Sequence, residues 1–510
     1  MRLLLRAFLI GTLALASCED DPATVPSVDV PTDGGADGDV LPVDAATAPD
    51  AADAIAVDPF ADRSGTRVAL RNFNSADGFR YRAGFFDRQT GEPCNVRQLA
   101  QDGVRRCLPS AAAVFFYADA ACTQRVASYT SCAAKPEYAA ENVPDADACT
   151  APKTRVYKLG AELGGPAPDG GAPAIPLYVK DGPSCTASPA SPNTTYVSVA
   201  SEVPPAEFVA FKETRVPAGA ALNAVYYDGD DGSRIFATFE DKARASPCTF
   251  WPMSDGTFRC TPASPYVSGF FGRFADGVCT SELTFASCPA SAKVARRFVP
   301  SCPNVMQFYD IGAAHPADGG VFFKAGASCV ATAPTAGFAL FALGAELQPA
   351  AFSQGTLGPF APTGRLAARK VVVDKAEVPV AVETFERRVD VRDTLKDAIC
   401  SPQLASDGVY RCLPDGALAA YYSDATCTER VGFTYLSSCG GAPTYAKYTG
   451  PECLGRGVVA SVKGKRAGTS VYAKSASGCT LTDLGAEVEL WDVGAVVAPT
   501  EFAEMTLTIE

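Results

Sequence analysis

Asp102-Gly103-Val104-Arg105-Arg106-Cys107 decides the reading of this chain, because it returns as Asp255-Gly256-Thr257-Phe258-Arg259-Cys260 and again as Asp407-Gly408-Val409-Tyr410-Arg411-Cys412. The cysteines that close these phrases stand 153 and 152 residues apart, and a proline follows each at the second place (Pro109, Pro262, Pro414). Self-similarity at a fixed interval inside one chain predicts one module written three times.

The other cysteines fall into line with that period. Cys18 stands alone. Then come Cys94, Cys107, Cys122, Cys132, Cys149 and Cys185; Cys248, Cys260, Cys279, Cys288, Cys302 and Cys329; and Cys400, Cys412, Cys427, Cys439, Cys453 and Cys479. Six per module predicts three disulfides each, with fifteen pairings left open by sequence. Zinc is the rival use of cysteine, but the chain has no Cys-x-x-Cys and a single histidine, which cannot supply repeated mixed sites. Disulfides persist only in an oxidising compartment, so the modules are expected outside the cytosol. At 510 residues the chain has room for about three ordinary domains, and 47% apolar with 20% charged residues is a globular composition.

Within a module the signals are those of strands. Val68 to Phe73 and Phe79 to Phe86 alternate around the turn Asn74 to Gly78, and Ala113 to Ala118 and Arg125 to Thr130 flank the corner Asp119-Ala120-Ala121-Cys122. The matching corners are Asp276-Gly277-Val278-Cys279 and Asp424-Ala425-Thr426-Cys427. Asp102-Gly103 favours a two-residue hairpin turn. Thr follows each third cysteine (Thr123, Thr280, Thr428) and Ser precedes each fourth (Ser131, Ser287, Ser438). An aromatic sits seven places before each sixth cysteine (Tyr178, Phe322, Tyr472) and a Lys five before it (Lys180, Lys324, Lys474). Pro205 with Phe208, Pro349 with Phe352 and Pro499 with Phe502 follow at constant spacing. Between these markers the copies vary, at Gly164 to Pro176 and at Glu386 to Lys396, with a short helix expected near Asp393 to Ile399. The expected fold is therefore all-β: three tandem disulfide-stapled β-rich repeat domains after a disordered tether. Their bounds are 64–213, 214–362 and 363–510, arranged as a stiff string.

The first residues carry a different signal. Arg2 and Arg6 flank Leu3 to Leu5, and an apolar run from Ala7 to Ala16 ends in Ser17-Cys18. The run is shorter than the ~20 residues of a membrane span and has the layout of a secretory signal over residues 1–17. Leu15-Ala16-Ser17-Cys18 resembles the lipobox of bacterial lipoproteins. That resemblance implies cleavage before Cys18 and acylation of its thiol, hence a membrane partner through the lipid. It also gives the odd cysteine a use, and the alternative is ordinary cleavage that leaves Cys18 a free thiol. The layout of the whole chain is similar to the cysteine-repeat lipoproteins of bacteria with large secreted repertoires, a likeness that implies no activity. The expected location is the cell envelope, with the outer membrane or cell surface favoured.

Residues 18–63 hold the lipidated Cys and the tether. Glu19 to Asp62 contain twelve acids and no base, so this stretch carries −12 of the chain's net −13. Such a segment cannot bury enough apolar surface to fold, and it serves as a spacer. Asp33 to Asp39 lacks the terminal bidentate Glu of a calcium loop. With Arg2 and Arg6 set aside the modules share only −3, which gives no basic footprint for nucleic acid.

No catalytic, cofactor-binding or metal-binding constellation emerges. A Ser-His-Asp arrangement needs a base, and His315 lies in a loop of the second module without counterpart in the others. The repeated Asp and Arg of the opening phrase fit a hairpin end. Asp228 to Gly232 reads as a turn before a calcium site, Asn193-Thr194-Thr195 fits a glycan acceptor pattern, and phosphate loops are absent. The leading expectation is a non-enzymatic envelope protein that binds or adheres to a glycan or protein ligand. The alternatives are an architectural spacer and a secreted hydrolase using paired carboxylates. Binding predicts aromatic or polar clusters at corresponding places in several modules, an enzyme predicts one cleft with converging acids, and a spacer predicts neither.

Overall fold

The computed structural model describes residues 58–510 apart from 97, 132, 144–148, 165–174, 182–183, 192–193, 264–266, 290, 300–304, 317, 326–327, 335–337, 374–375, 380–390, 436–440, 451–454, 476–477 and 486–487. Among the described residues the regular structure is strand, with three short 3-10 turns. The chain is all-β and stapled by disulfides.

Each opening phrase turns the chain between two short strands. Ala100 N donates to Val104 O and Gly103 N to Ala100 O, and the same pair of bonds joins Met253, Gly256 and Thr257, and Ala405, Gly408 and Val409. The loop is thus three residues long, not two. Its Gly takes the left-handed position (φ +78°, +76° and +79°), which a side chain would strain. Asp102, Asp255 and Asp407 each accept the N–H two residues on. The Asp-Gly signal located the turn, and this Asp bond sets its length by closing a type I turn before the glycine.

The strands around the phrase form a small antiparallel sheet. In the first block Val68–Asn74, Arg80–Asp87, Glu92–Asn95 and Leu108–Pro109 lie in that order. Cys94–Cys107, Cys248–Cys260 and Cys400–Cys412 cross-link this part of the three blocks. The helix expected near Asp393 to Ile399 is absent, because Asp393 accepts the N–H groups of Leu395 and Lys396 and the chain turns from Val391–Asp393 into Ala398–Leu404. Residues 386–390 of that variable stretch, like 165–174 of the first, lie outside the described residues.

The second part of each block is a closed ring of five strands. Ala113–Tyr117, Arg125–Thr130, Thr194–Glu202, Lys153–Gly164 and Tyr138–Val143 pair in turn, and a parallel contact, Ala113 with Ala140, shuts the ring. The second ring runs Val267–Phe274, Glu282–Ala286, Ala339–Leu347, Val305–Ala314 and Val294–Val299, closed by Val267 with Val294. The third runs Ala417–Tyr422, Arg430–Tyr435, Val488–Val496, Gly457–Arg466 and Tyr445–Thr449, closed by Ala417 with Ala446. Small residues mixed with large rings fill such narrow interiors. Ala112, Ala127 and Ala139 pack with Tyr129 and Tyr157 in the first, and Ala417, Ala419 and Ala446 pack with Trp491 in the third.

The blocks are laced together, not strung. Ala210–Ala218 pairs with Leu222–Gly229, Ala361–Thr363 pairs with Leu366–Ala368, and the last strand, Thr506–Ile509, returns to pair with the first, Val68–Asn74. Arg80 and Glu510 close the same seam at 2.6 Å. Core clusters follow the lacing. Cys94 and Cys107 pack with Phe211 and Ile235; Cys248 and Cys260 with Val371 and Val373; Cys400 and Cys412 with Phe73 and Phe79. Each staple therefore sits in apolar contact with a different block. Ala210–Ala218 pairs both with Arg105–Arg106 before it and with Leu222–Gly229 after it, and the last strand completes the sheet of the first, so the two ends of the described chain meet where a string would hold them apart.

Candidate binding surface

The repeated polar residues are mostly spent on architecture. Arg106 pairs with Asp102 at 2.9 Å, Arg259 with Asp255 at 3.5 Å and Arg411 with Asp407 at 2.8 Å. Each of these arginines also donates to the carbonyl of a buried Phe: Phe208, Phe352 and Phe502, all 2% exposed. Those rings follow the 3-10 turns Pro205–Glu207, Pro349–Ala351 and Pro499–Glu501, which is the structural meaning of the Pro-x-x-Phe spacing.

A second set went unnoticed in the sequence. Asp87, Asp241 and Asp393 are buried, each seven places before the first cysteine of its block, a spacing that could have revealed them. Arg67 holds Asp87 and reaches Glu207 O; Arg244 holds Asp241 and reaches Ala351 O; Arg365 holds Asp393 and reaches Glu501 O. These bridges tie each small sheet to the 3-10 turn of its block.

What remains exposed is a hairpin on each ring. Leu177–Asp181 with Ser184–Ser188, Val321–Ala325 with Ser328–Thr332, and Ser470–Ser475 with Gly478–Asp483 attach to the first strand of their rings. The contacts are Tyr178 with Tyr117, Phe322 with Phe274 and Tyr472 with Tyr422. The repeated aromatic thus opposes a second aromatic in every copy, and all but Tyr422 are half-buried. Cys122–Cys185, Cys279–Cys329 and Cys427–Cys479 staple the hairpins down. The third cysteine of each block adopts a positive φ (52°, 55° and 52°) at the corner beneath.

That corner is held by one carboxylate. Asp119 accepts the N–H groups of Gln124, Thr123 and Ala121 and the Thr123 hydroxyl; Asp276 accepts those of Ser281, Thr280 and Val278; Asp424 those of Glu429, Thr428 and Thr426. The Gln124 N–H, then those of Thr123, hold the Asp119 carboxyl below the usual range. At Asp276 desolvation opposes and the N–H groups of Ser281 and Thr280 prevail; at Asp424 the Thr426 hydroxyl leads. The Thr after each third cysteine is thus a capping partner.

Lys180, Lys324 and Lys474 are exposed beside this corner, each directly across from the stapled cysteine on the outer strand. None has an ion-pair partner among the described residues. Val278 (74% exposed), Leu481 (66%) and Val330 (41%) add bare aliphatic surface around the second and third staples.

The other sequence candidates sit elsewhere. His315 lies in its loop with Nε2 3.1 Å from the Gly320 carbonyl. Asp228 accepts the Thr214 hydroxyl, and Asp231 accepts the N–H groups of Arg67 and Val68, so this acidic loop is a seam between blocks. Among the described residues no group of three or more His, Cys, Asp or Glu is placed to hold a metal. A shallow dent lined by Gln101, Thr154, Arg155, Glu202 and Phe208 has no room for a water and includes one carboxylate. Glu202 there is bonded to Gln101, which also accepts from Arg155, so the paired acids of a glycosidase do not meet in it. Of the sulfurs, six pairs of first with second and third with sixth cysteine are joined. Cys132, Cys302, Cys439 and Cys453 lie outside the described residues, as do Cys18 and Asn193.

Fold and staples define a class: a β protein of extracellular or envelope type, whose cross-links need an oxidising compartment to form. No described helix is long and apolar enough to cross a membrane. The chain belongs to the DUF7481 family, a family of unknown function, whose model matches residues 46–371. No curated protein matches the chain, and no solved structure does.

Proposed function

We propose that the chain is a lipid-anchored envelope protein in which three copies of one module present three equivalent binding hairpins for adhesion to a protein or glycan surface. The observation that carries this reading is the recurrence, in all three blocks, of an aromatic pair, an unpaired exposed Lys and a stapled, Asp-capped corner. A solvated Lys is costless on a spacer, but three at one structural position beside half-buried rings supply the polar tip and apolar body that binding surfaces combine. Three modest sites on one scaffold raise avidity without any single tight contact. Acylation of Cys18 supplies the anchor, and the acidic stretch up to Asp62 holds the modules off the membrane. The three-copy reading is supported by the matching ring orders, staples and buried Arg–Asp bridges.

Two experiments test it. Labelling with a palmitate analogue is expected to mark the wild-type chain and not Cys18→Ser; equal label in both removes the anchor. Cells displaying the triple variant Lys180→Ala/Lys324→Ala/Lys474→Ala are expected to lose attachment to surfaces that hold wild-type cells. Undiminished attachment removes the hairpins as the binding surface.

A further inference from the structure

Among the described residues the sheet edges fall into two kinds. Leu108–Pro109, Ala361–Thr363 and Ala376–Pro379 each include a proline, and Thr506–Ile509 is only four residues long. Proline and shortness are the usual guards against unwanted strand pairing. The outer strands of the three hairpins, five or six residues long, lack the proline. Ser184–Ser188 and Ser328–Thr332 carry no charge and no proline, and Gly478–Asp483 is uncharged up to its last residue. Their side chains alternate between exposed and half-buried for most of their length.

Register shows which backbone groups are open. The innermost pairs are Asp181 with Ser184, Ala325 with Ser328 and Ser475 with Gly478. In a two-residue hairpin the innermost pair exchanges both hydrogen bonds and the pattern then alternates, so the N–H and C=O of the next residue face outward. Those residues are Cys185 and Ala187, Cys329 and Ala331, and Cys479 and Leu481. Across from each stapled cysteine stands an exposed, unpaired Lys. The disulfide behind each edge fixes it in the extended form, so a strand that adds there orders little of the host.

We propose that each hairpin edge takes up an extended acidic segment of another polypeptide as an added antiparallel or parallel strand, giving one chain three such sites. This rests on the hairpins being the binding surface and adds the mode and the partner's chemistry. Backbone bonds to the open edge supply affinity with little demand on sequence, as in other strand-addition complexes. Lys180, Lys324 and Lys474 select acidic side chains, and Val330 and Leu481 offer apolar contact to the residues between them.

The test uses the full chain and a fluorescein-labelled twelve-residue peptide of alternating Thr and Glu. Anisotropy is expected to show saturable binding at three equivalents, with hydrogen exchange slowed at Cys185, Ala187 and their counterparts. A peptide of alternating Thr and Lys is expected to fail. Ala187→Pro/Ala331→Pro/Leu481→Pro removes outward N–H groups, which an edge tolerates, and is expected to weaken binding by about tenfold or more, with Leu481→Ala as the control for the lost side chain. Lys180→Glu/Lys324→Glu/Lys474→Glu is expected to exchange the preference between the two peptides. Absence of binding overturns strand addition, as does binding that the proline variant leaves unchanged. In the second case, if the Lys variant still abolishes binding, the surface itself survives and only the mode falls. Edge protection that rises with protein concentration before peptide is added would make a second copy the occupant and overturn the proposal. Wild-type attachment blocked by a free glycan and not by the Thr-Glu peptide would do the same.

Discussion

Glu92 is the residue whose surroundings make the sharpest demand. It is 7% exposed, and burial pushes its carboxyl up to about 7 against the N–H groups of Glu137 and Tyr138 that favour the charged form. One of its oxygens has no partner. Below the unfolded value of 4.5 both states carry the proton. Between 4.5 and 7 the unfolded chain ionises first, so stability falls as pH rises, and above the folded value the penalty stays constant at roughly 3 kcal/mol. Glu92→Gln is expected to be more stable than wild type at pH 8 and to lose that advantage at pH 4.5, as measured by urea unfolding; parallel curves at both pH values would show the carboxyl to be solvated. Arg125, Glu282 and Arg430 each oppose the hairpin-contacting ring residue of their block. Arg125 meets Glu141 at 3.0 Å, Glu282 meets Arg297 at 3.3 Å with the signs exchanged, and Arg430 stacks on Tyr448 at 4.0 Å. Arg125→Glu is expected to lower Tm and the added Glu141→Arg to recover most of the loss, a partial effect because the pair is partly exposed. An additive double variant would mean the pair contributes nothing.

At the scale of the element the staples dominate. The bridges over 12 or 13 residues each contribute about 3 kcal/mol in the chain-entropy model, and those over 50 to 63 residues about 4. Replacing Cys427 and Cys479 by Ala is expected to speed exchange in Ser470–Ser475 and Gly478–Asp483 while leaving the first ring protected. Uniform loss of protection would show that the blocks unfold as one. Much of this level was legible in the sequence. Val68 to Phe73, Phe79 to Phe86 and the hairpin around Cys122 fall within a residue or two of the observed strands, because alternation and turn chemistry are local signals. Cysteine pairing was not legible, since it depends on which strands meet. The helix expected after Asp393 failed because a side-chain bond to the N–H groups of Leu395 and Lys396 competes with helical pairing. The Lys and aromatic spacings marked the hairpin, whereas Tyr117, Phe274 and Tyr422 became visible as their partners only through register.

Across the whole molecule the decisive contact is the most distant one in sequence. Thr506–Ile509 completes the sheet begun by Val68–Asn74, with Asn74 donating to the Thr508 hydroxyl at 2.6 Å. Nothing local announces it: short linkers suggested a string because sequence shows that blocks are adjacent and not that the last returns to the first. Removing residues 506–510 is expected to expose Phe73, Phe79 and Met505's neighbours in their shared core and to make Val68–Asn74 exchange as an edge. Small-angle scattering from residues 58–510 is the most direct test of the closed arrangement. Three touching blocks of about 150 residues closed on one another give a radius of gyration of about 26 Å, and the same blocks in line give about 34 Å. A value near the first supports head-to-tail closure, and a value near the second contradicts it.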